Sequence, residues 1–557
     1  VSAEKLLAGL DPEQRIVAQS LRGPVRVLAG AGTGKTRAIT HRIAYGVATG
    51  AYSESKVMAL TFTTRAASEL RGRLRQLGAG GVSSRTFHAA ALAQLGFFWP
   101  QIVGGTMPRI LEGKARLLGQ AAESLRIRVD TATLRDLAAE IEWRKISALS
   151  IAEYATKGRP VPQALDSEKV VRLQQAYENL KDDRRQLDFE DVLLACAGMI
   201  ESEPRVAQQV REQYRFFVVD EYQDVSPLQQ RLLELWLGDR QDLCVVGDAS
   251  QTIYSFTGAT PDYLLGFSKR YPEASFVQLE RNYRSTPAIV DIANRLMRDQ
   301  RGALSLVAAE STEVGATPAV EAYRSDAAEA REVAAKIADL VASGVKPQDV
   351  AILYRINAQS AVIGSALDDA GVGYHVRGGT RFFDLAEVKQ AIMMLKGATI
   401  VKTQELLFKT VSDVLRSLGW TQSPPEAGGA VRSRWESLNA LMLLAEEQPA
   451  GTGLSEFVAE LVERSAVQHE PTLSAVTLAT LHSAKGLEWD NVFVVGLQEG
   501  LLPISYATTD AAIEEERRLL YVGITRARKR LQLSWAASTG QRSGTNSRSR
   551  FLADLAR

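Results

Sequence analysis

The feature that most constrains what this chain can fold into is a short apolar run, Val25-Arg26-Val27-Leu28. It leads into Ala29-Gly30-Ala31-Gly32-Thr33-Gly34-Lys35-Thr36 and then a helical pattern. A strand, a glycine-rich turn and a helix in that order open a parallel-sheet α/β domain, in which ligands gather at the C-terminal ends of the strands. Glycines let successive backbone N–H groups curl toward phosphate, and the helix N-terminus adds positive potential. The sequence therefore predicts a nucleoside triphosphate cradle lined by Ala29, Gly30, Ala31, Gly32, Thr33 and Gly34, with alanine at the usual first glycine. Lys35 would reach the terminal phosphates, and the Thr36 hydroxyl would ligate Mg²⁺.

Such a cradle needs an acidic partner. The run Phe216-Phe217-Val218-Val219 delivers Asp220-Glu221-Tyr222-Gln223-Asp224 at its end. Asp220 is suited to hold the metal, and Glu221 to activate a water for attack on the γ-phosphate. Further apolar runs at Val57–Leu60, Leu243–Val246, Phe276–Leu279, Val350–Tyr354, Val492–Val495 and Leu531–Trp535 predict buried parallel strands, enough for two α/β sheets.

Two stretches break this rhythm and read as helical insertions. In the first, from about Ala89 to Arg185, Leu134, Leu137, Ala138 and Ile141 follow Asp130, a predicted cap. The second runs from about Leu385 to Pro471 and is interrupted by the turn-rich Ser423–Gly429. No apolar stretch approaches the roughly 18 residues of a membrane span, and no signal peptide is visible at Val1–Leu10. Cys196 and Cys244 lie in apolar runs and are expected as buried free thiols, which fits a reducing cytoplasm. The 66 basic and 65 acidic residues leave a net charge of +1, so bulk charge neither points to nucleic acid nor excludes a locally basic groove.

The acidic motif is followed by Gly247-Asp248-Ala249-Ser250-Gln251-Thr252-Ile253-Tyr254-Ser255-Phe256-Thr257-Gly258 and by Leu279-Glu280-Arg281-Asn282-Tyr283-Arg284-Ser285. Near the end stand Thr480-Leu481-His482-Ser483-Ala484-Lys485-Gly486-Leu487-Glu488-Trp489 and Glu515-Glu516-Arg517-Arg518-Leu519-Leu520-Tyr521-Val522-Gly523-Ile524-Thr525-Arg526-Ala527. In this order and spacing the set resembles the superfamily 1A DNA helicases of the UvrD/Rep/PcrA family, from Leu10 to about Leu555. The resemblance implies two RecA-like parallel-sheet domains of the P-loop NTPase class, each with an inserted helical subdomain. Domain 1A would comprise residues 1–88 and 186–278, insertion 1B residues 89–185, domain 2A residues 279–384 and 472–557, and insertion 2B residues 385–471.

The resemblance also implies roles, residue by residue. Gln14, in Leu10-Asp11-Pro12-Glu13-Gln14, would read the adenine edge, with Arg37 and Tyr283 flanking the base and Glu488 near the ribose. Gln251 would contact the γ-phosphate, and Arg284 and Arg526 would stabilise transition-state charge. Single-stranded DNA would run over Phe62, His88, Phe189, Tyr254, Phe256 and His482, with Arg355 and Asn357 on its backbone. ATP and Mg²⁺ are the implied cofactors, and single strands and single-strand/duplex junctions the substrates, with DNA-repair proteins as partners at the nucleoid. The activity implied is an ATP-dependent 3′-to-5′ helicase and translocase in repair or recombination. The alternative is a non-unwinding ATPase or DNA-binding subunit of a larger repair complex.

The chain departs from the family's usual pattern in two places. Ser255, Phe256 and Thr257 stand where arginine, tryptophan and arginine are common, and the second insertion is short. The short insertion suggests the second UvrD-like paralogue of actinobacteria, whose core is commonly followed by a four-cysteine segment and an HRDC domain. Neither is found in this sequence.

Overall fold

Val25–Ala29 forms strand β1 of a six-stranded sheet in the computed structural model. The structure describes residues 2–159, 165–310, 312–377, 382–399, 407–423, 429–449, 451–467, 474–539 and 545–555. It divides into two compact units, Val1–Ala29 with Gly34–Leu279 and Gly30–Thr33 with Glu280–Arg557.

In the first unit β1 is joined by β2 (Val57–Thr61), β3 (Ser83–Thr86), β4 (Phe216–Val219), β5 (Leu243–Gly247) and β6 (Ser275–Leu279), in the order β3-β2-β4-β5-β1-β6. Every pairing is parallel. Central strands buried on both faces explain the unbroken apolar runs of β2, β4 and β5 and the run of β1, interrupted by the half-buried Arg26. The helix Lys35–Ala48 buries Ala38, Ile39 and Ile43 against Val27, Ala59, Val218 and Val246 of the sheet. Val25 pairs with both Cys244 and Ser275, so the first strand is flanked by strands from far along the chain.

Among the described residues, the chain between β3 and β4 is helical apart from loops and the two-residue strands Arg109–Ile110 and Gln186–Leu187, which pair with each other. Asp130 caps the helix Thr131–Ile146 by accepting from the Thr133 N–H at 2.7 Å, as the pattern predicts. This insertion has its own core, including Leu118, Leu137, Ile141, Val170, Leu173 and Tyr177.

The second unit holds another all-parallel sheet of six strands. They are β7 (Ala319–Tyr323), β8 (Val350–Tyr354), β9 (Tyr374–Val376), β10 (Val476–Thr480), β11 (Trp489–Val494) and β12 (Ala527–Ala536), ordered β7-β12-β11-β8-β10-β9. Val333, Ile337, Ile352, Leu367, Leu478 and Phe493 form its core. Among the described residues, the chain between β9 and β10 is helical and packs a separate core that includes Val388, Leu395, Val411, Leu415, Leu441 and Phe457. The turn expected around Pro424–Gly428 lies outside the described residues.

In the two six-stranded sheets the apolar-run reading misses four strands. β3, β7 and β9 are sheet edges with polar or half-exposed residues, and β10 carries threonine at its second and fifth positions. Two boundaries are also corrected. β11 starts three residues before Val492 and ends at Val494, and β12 extends from Ala527 to Ala536. The added part of β12 holds the exposed Arg528, Lys529 and Arg530, whereas β11 begins with the buried Trp489 and carries Asp490 and Asn491, so neither stretch reads as an apolar run. The two cysteines are buried and free, as expected. Among the described residues no helix is long and apolar enough to cross a membrane.

Candidate active site

The loop after β1 turns through Gly32 and Gly34, both at positive φ, before the helix begins at Lys35. Gly34 is the N-cap and makes no side-chain cap hydrogen bond, so no side chain competes for that helix start. The Thr33 hydroxyl closes the turn by donating to the Gly30 carbonyl at 2.8 Å. A Cβ on Gly34 would lie 2.7 Å from the Gln14 Nε2, so glycine is required for Gln14 to approach the loop.

Gln14 is 2% exposed, not a surface residue. It sits at the third position of the helix Pro12–Gln19 and forms a capping box with Asp11. Its amide is thereby fixed beside the loop rather than free to sample rotamers. Arg37 donates to the Gly9 carbonyl at 2.6 Å, which ties the same N-terminal segment to the helix that starts the cradle. Thr36 lies half-buried on the first turn of that helix, and Ala29 and Ala31 are buried.

At the end of β4, Asp220 is buried and its N–H donates to the Leu60 carbonyl at 2.9 Å. Burial, then the neighbouring Glu221 carboxylate, pushes its carboxyl up to about 7 against the pull of Lys35. Glu221 is a non-glycine residue at φ 52°, a conformation that costs on the order of 1–3 kcal/mol and clusters at functional sites. Lys35 Nζ lies 3.3 Å from Glu221 Oε1, is buried, and has no hydrogen-bond partner. A buried ammonium without a hydrogen bond is costly unless a ligand supplies acceptors, and phosphate oxygens do so. Two adjacent carboxylates facing one ammonium also leave a deficit of positive charge, which a divalent cation between Asp220 and Thr36 would correct. The residues therefore fit both a triphosphate and Mg²⁺.

Gln251 is buried after β5, and its Nε2 donates to Asp248 Oδ2 at 2.7 Å. Asp248 is itself buried, and that burial raises its carboxyl above the ordinary range. Between this turn and Glu221 lies Gln223, which the sequence reading passed over. A glutamine in an acidic motif carries no signal of which groups it bridges.

The nucleic-acid candidates of the first unit fall into three places. Phe62 lies just past β2, half-buried, 5.7 Å from the ring of the buried Phe87. His88 and Phe189, 101 positions apart, stack with ring centroids 3.8 Å apart and planes 12° from parallel. Phe189 is 54% exposed. Burial and the nearby Lys114 pull His88 down to about 4, so it stacks as a neutral ring. Below Phe189, Lys145 and Lys181 are buried between Glu178, Asp188 and Asp191, an ion cluster that anchors the start of its helix. Tyr254 is half-buried, and burial pushes its hydroxyl up to about 12. Phe256 belongs to the turn Ser255–Thr257, and its side chain lies outside the described residues.

In the second unit Arg284 binds the Glu488 carboxylate through Nε and donates from Nη1 to the Thr525 carbonyl at 3.2 Å. Arg528 binds the same carboxylate. Burial alone would raise Glu488, but Arg284 and Arg528 outweigh it and hold it below its ordinary value. Arg526 is 2% exposed, and its guanidinium donates to the carbonyls of Val522 at 2.9 Å and Leu487 at 3.1 Å. Tyr283 is 43% exposed.

Arg355 forms a two-pronged, largely buried pair with Glu516 at 2.8 and 3.0 Å, and Glu516 also accepts from the Ile504 N–H. Glu516 belongs to the last motif, but its pairing with a residue 161 positions away is not readable from that motif. Asn357 is exposed, and His482 is half-buried. Burial, then Arg355 and Lys485, pulls His482 down to about 4.

The model of the UvrD/REP helicase N-terminal domain matches residues 10–272, and that of the UvrD-like helicase C-terminal domain matches 277–424 and 430–538. The chain is 49% identical to the ATP-dependent DNA helicase UvrD2 of Mycobacterium tuberculosis, over 100% of this chain and 83% of that protein. It is 29% identical to the ATP-dependent DNA helicase PcrA of Bacillus subtilis, covering 99% and 86% respectively. It is also 29% identical to DNA helicase II of Escherichia coli, covering 95% and 85%.

Proposed function

Since the chain belongs to the UvrD/Rep helicase family and is an ATP-dependent DNA helicase, we propose that it tracks 3′ to 5′ along single-stranded DNA. Its substrates are single strands and single-strand/duplex junctions, and its work is repair or recombination at the nucleoid, beside other repair proteins. The observation that carries the catalytic reading is the buried Lys35 ammonium, 3.3 Å from Glu221 and without a hydrogen bond.

In this reading Lys35 binds the β- and γ-phosphates of ATP, while the loop N–H groups from Gly30 to Gly34 hold the rest of the chain of phosphates. Gln14, Arg37 and Tyr283 hold the base, and Glu488 lies toward the ribose. Thr36 and Asp220 would hold Mg²⁺, which neutralises phosphate charge when bound. Glu221 orients a water for in-line attack and takes its proton. Gln251 contacts the γ-phosphate. Arg284 and Arg526 add positive charge as the transition state forms, the kind of contribution worth ~10³–10⁵ in rate. Phe62, His88, Phe189, Tyr254, Phe256 and His482 serve as base platforms, and Arg355 and Asn357 meet the strand's backbone.

The test has two parts. Phosphate release should rise with added single-stranded DNA, and duplexes with a 3′ tail should be unwound in preference to those with a 5′ tail. Preference for a 5′ tail would overturn the direction. DNA-stimulated hydrolysis without strand separation would favour a translocating ATPase that does not unwind.

A further inference from the structure

Gln223 is wholly buried, at 0% exposure, and both ends of its amide are engaged. Its Nε2 donates to Glu221 Oε2 at 2.5 Å, and its Oε1 accepts from the Asp248 N–H at 3.0 Å. Asp248 begins the turn that carries Gln251. Its Oδ2 accepts from Gln251 Nε2 at 2.7 Å and its Oδ1 from the Ser250 N–H at 2.9 Å, while its carbonyl accepts from the Gln251 N–H at 2.9 Å. One side chain therefore connects the end of β4 to the end of β5.

The surroundings are shaped for that amide. A Cβ on Gly247 would fall 2.4 Å from Gln223 Oε1, so the last residue of β5 has to be glycine for the amide to lie across the strand ends. No water-facing alternative exists for a fully buried group, so breaking the bridge would leave the Asp248 N–H without an acceptor. Only an amide does both jobs here. A carboxylate cannot donate to Glu221, and an aliphatic or thioether side chain can neither donate nor accept strongly.

We propose that Gln223 is a positioning residue that ties the water-orienting carboxylate of Glu221 to the phosphate-contacting Gln251, so that the two move as a unit. The proposal rests on the reading of Glu221 as base and Gln251 as γ-phosphate contact. A change at Gln251 when the γ-phosphate leaves then reaches Glu221 through Asp248 and Gln223, the Asp248 N–H passing it to the Gln223 amide. Glu221, held at positive φ, has little backbone freedom, so its carboxylate orientation is set by what its oxygens bind.

Steady-state ATPase of the full chain at saturating single-stranded DNA tests this. Gln223→Met removes donor and acceptor at similar volume. Gln223→Glu keeps the shape and the acceptor and, at a pH high enough to ionise a carboxyl buried beside Glu221, removes the donor, so it reads the contact with Glu221 even if Gln223→Met folds poorly. Both should lose about 10–100-fold in kcat, the usual scale for a partner that orients a reacting group. The KM for ATP and the affinity for a single strand should stay within about twofold, since neither substrate touches Gln223. The double variant Gln223→Met/Gln251→Met should turn over no more slowly than its slower parent, because one linkage is cut only once. Losses that multiply in the double variant would overturn the tie, as would near wild-type kcat in Gln223→Glu beside an inactive Glu221→Gln. Normal turnover in Glu221→Gln would instead remove the base, and the tie with it.

Discussion

The carboxylate of Glu488 accepts from Nε of Arg284, while Nη1 of the same guanidinium donates to the Thr525 carbonyl, one residue before Arg526. A single knot therefore fixes one arginine and touches the backbone that carries the other. An arginine that acts on a transition state is effective when its rotamer is set in advance, because no reorganisation is then required during reaction.

Glu488→Gln should loosen that knot. The amide keeps the size but loses the charge that Arg284 and Arg528 share. DNA-stimulated kcat should fall about tenfold, as for other groups that orient a reacting side chain, with single-strand affinity unchanged. ATPase titrations beside a binding isotherm check this, and equal loss of both would instead make Glu488 part of the strand contact.

Glu221→Gln and Lys35→Ala should fail differently. Removing the base leaves the phosphate cradle intact, so ATP binding persists while turnover falls by about 10²–10⁴-fold. Removing Lys35 takes away the ammonium that faces the phosphates, so affinity falls as well. Equilibrium binding of a fluorescent ATP analogue separates the two, and equal affinity loss in both would contradict this division.

Phe189→Ala should weaken single-strand binding by about 1–3 kcal/mol, the usual cost of losing a base-stacking platform. Phe189 is half-exposed on a helix start held by the buried lysine cluster, so its loss should leave folding intact. Fluorescence anisotropy with a labelled oligonucleotide reads the first quantity and a melting curve the second. An unchanged affinity would assign the His88–Phe189 stack to packing alone.

Arg355→Ala should destabilise the second unit by about 3–5 kcal/mol, because Glu516 would remain buried without its partner. The phosphate contact assigned to the same side chain should also flatten the salt dependence of DNA binding, while an unmoved melting midpoint would contradict the cost of stranding Glu516. Differential scanning calorimetry and binding at several salt concentrations distinguish these outcomes.

Acid should unfold the protein early. Burial, with nearby cations, holds His88, His375 and His482 near 4, against an ordinary value of 6.5. The unfolded chain takes up these protons below about 6.5 while the folded chain does not until near 4. The stability from the neutral rings is thus complete above 6.5 and drains as pH falls from there toward 4. Melting midpoints between pH 7.5 and 5 should drop in the wild type and drop less in His375→Phe. A flat profile would contradict the burial argument.

The sequence was most informative where chemistry forces residue type. Lys35, Asp220 and Glu221 could be read because a phosphate cradle and its acidic partner tolerate few alternatives, and the structure brings Lys35 and Glu221 to 3.3 Å. Most buried strands were legible for a related reason, since both their faces must be apolar, although the buried β10 escaped because of its threonines and the run at β6, expected to be buried, is a sheet edge with Phe276 46% exposed. Edge strands such as β3 and β9 were not, because one side faces solvent or loops and any residue serves. Pairings set by tertiary geometry were equally silent. Nothing in the sequence around Arg355 announces Glu516, and nothing in Asp-Glu-Tyr-Gln-Asp says which atoms the glutamine amide will bridge.

The pairing of β1 has a consequence for how the protein is made. Its neighbours on both sides, β5 and β6, are written after the whole helical insertion, so Val25 cannot meet Cys244 or Ser275 until those residues leave the ribosome. At about 5–20 residues per second the delay is on the order of 10–40 s. Through that interval an apolar strand waits with both edges open, while the insertion, whose core is local, can already pack. The first unit should therefore be born inside out, with its inserted domain ready before the sheet that carries it. The nascent chain should bind chaperones until Leu279 has emerged.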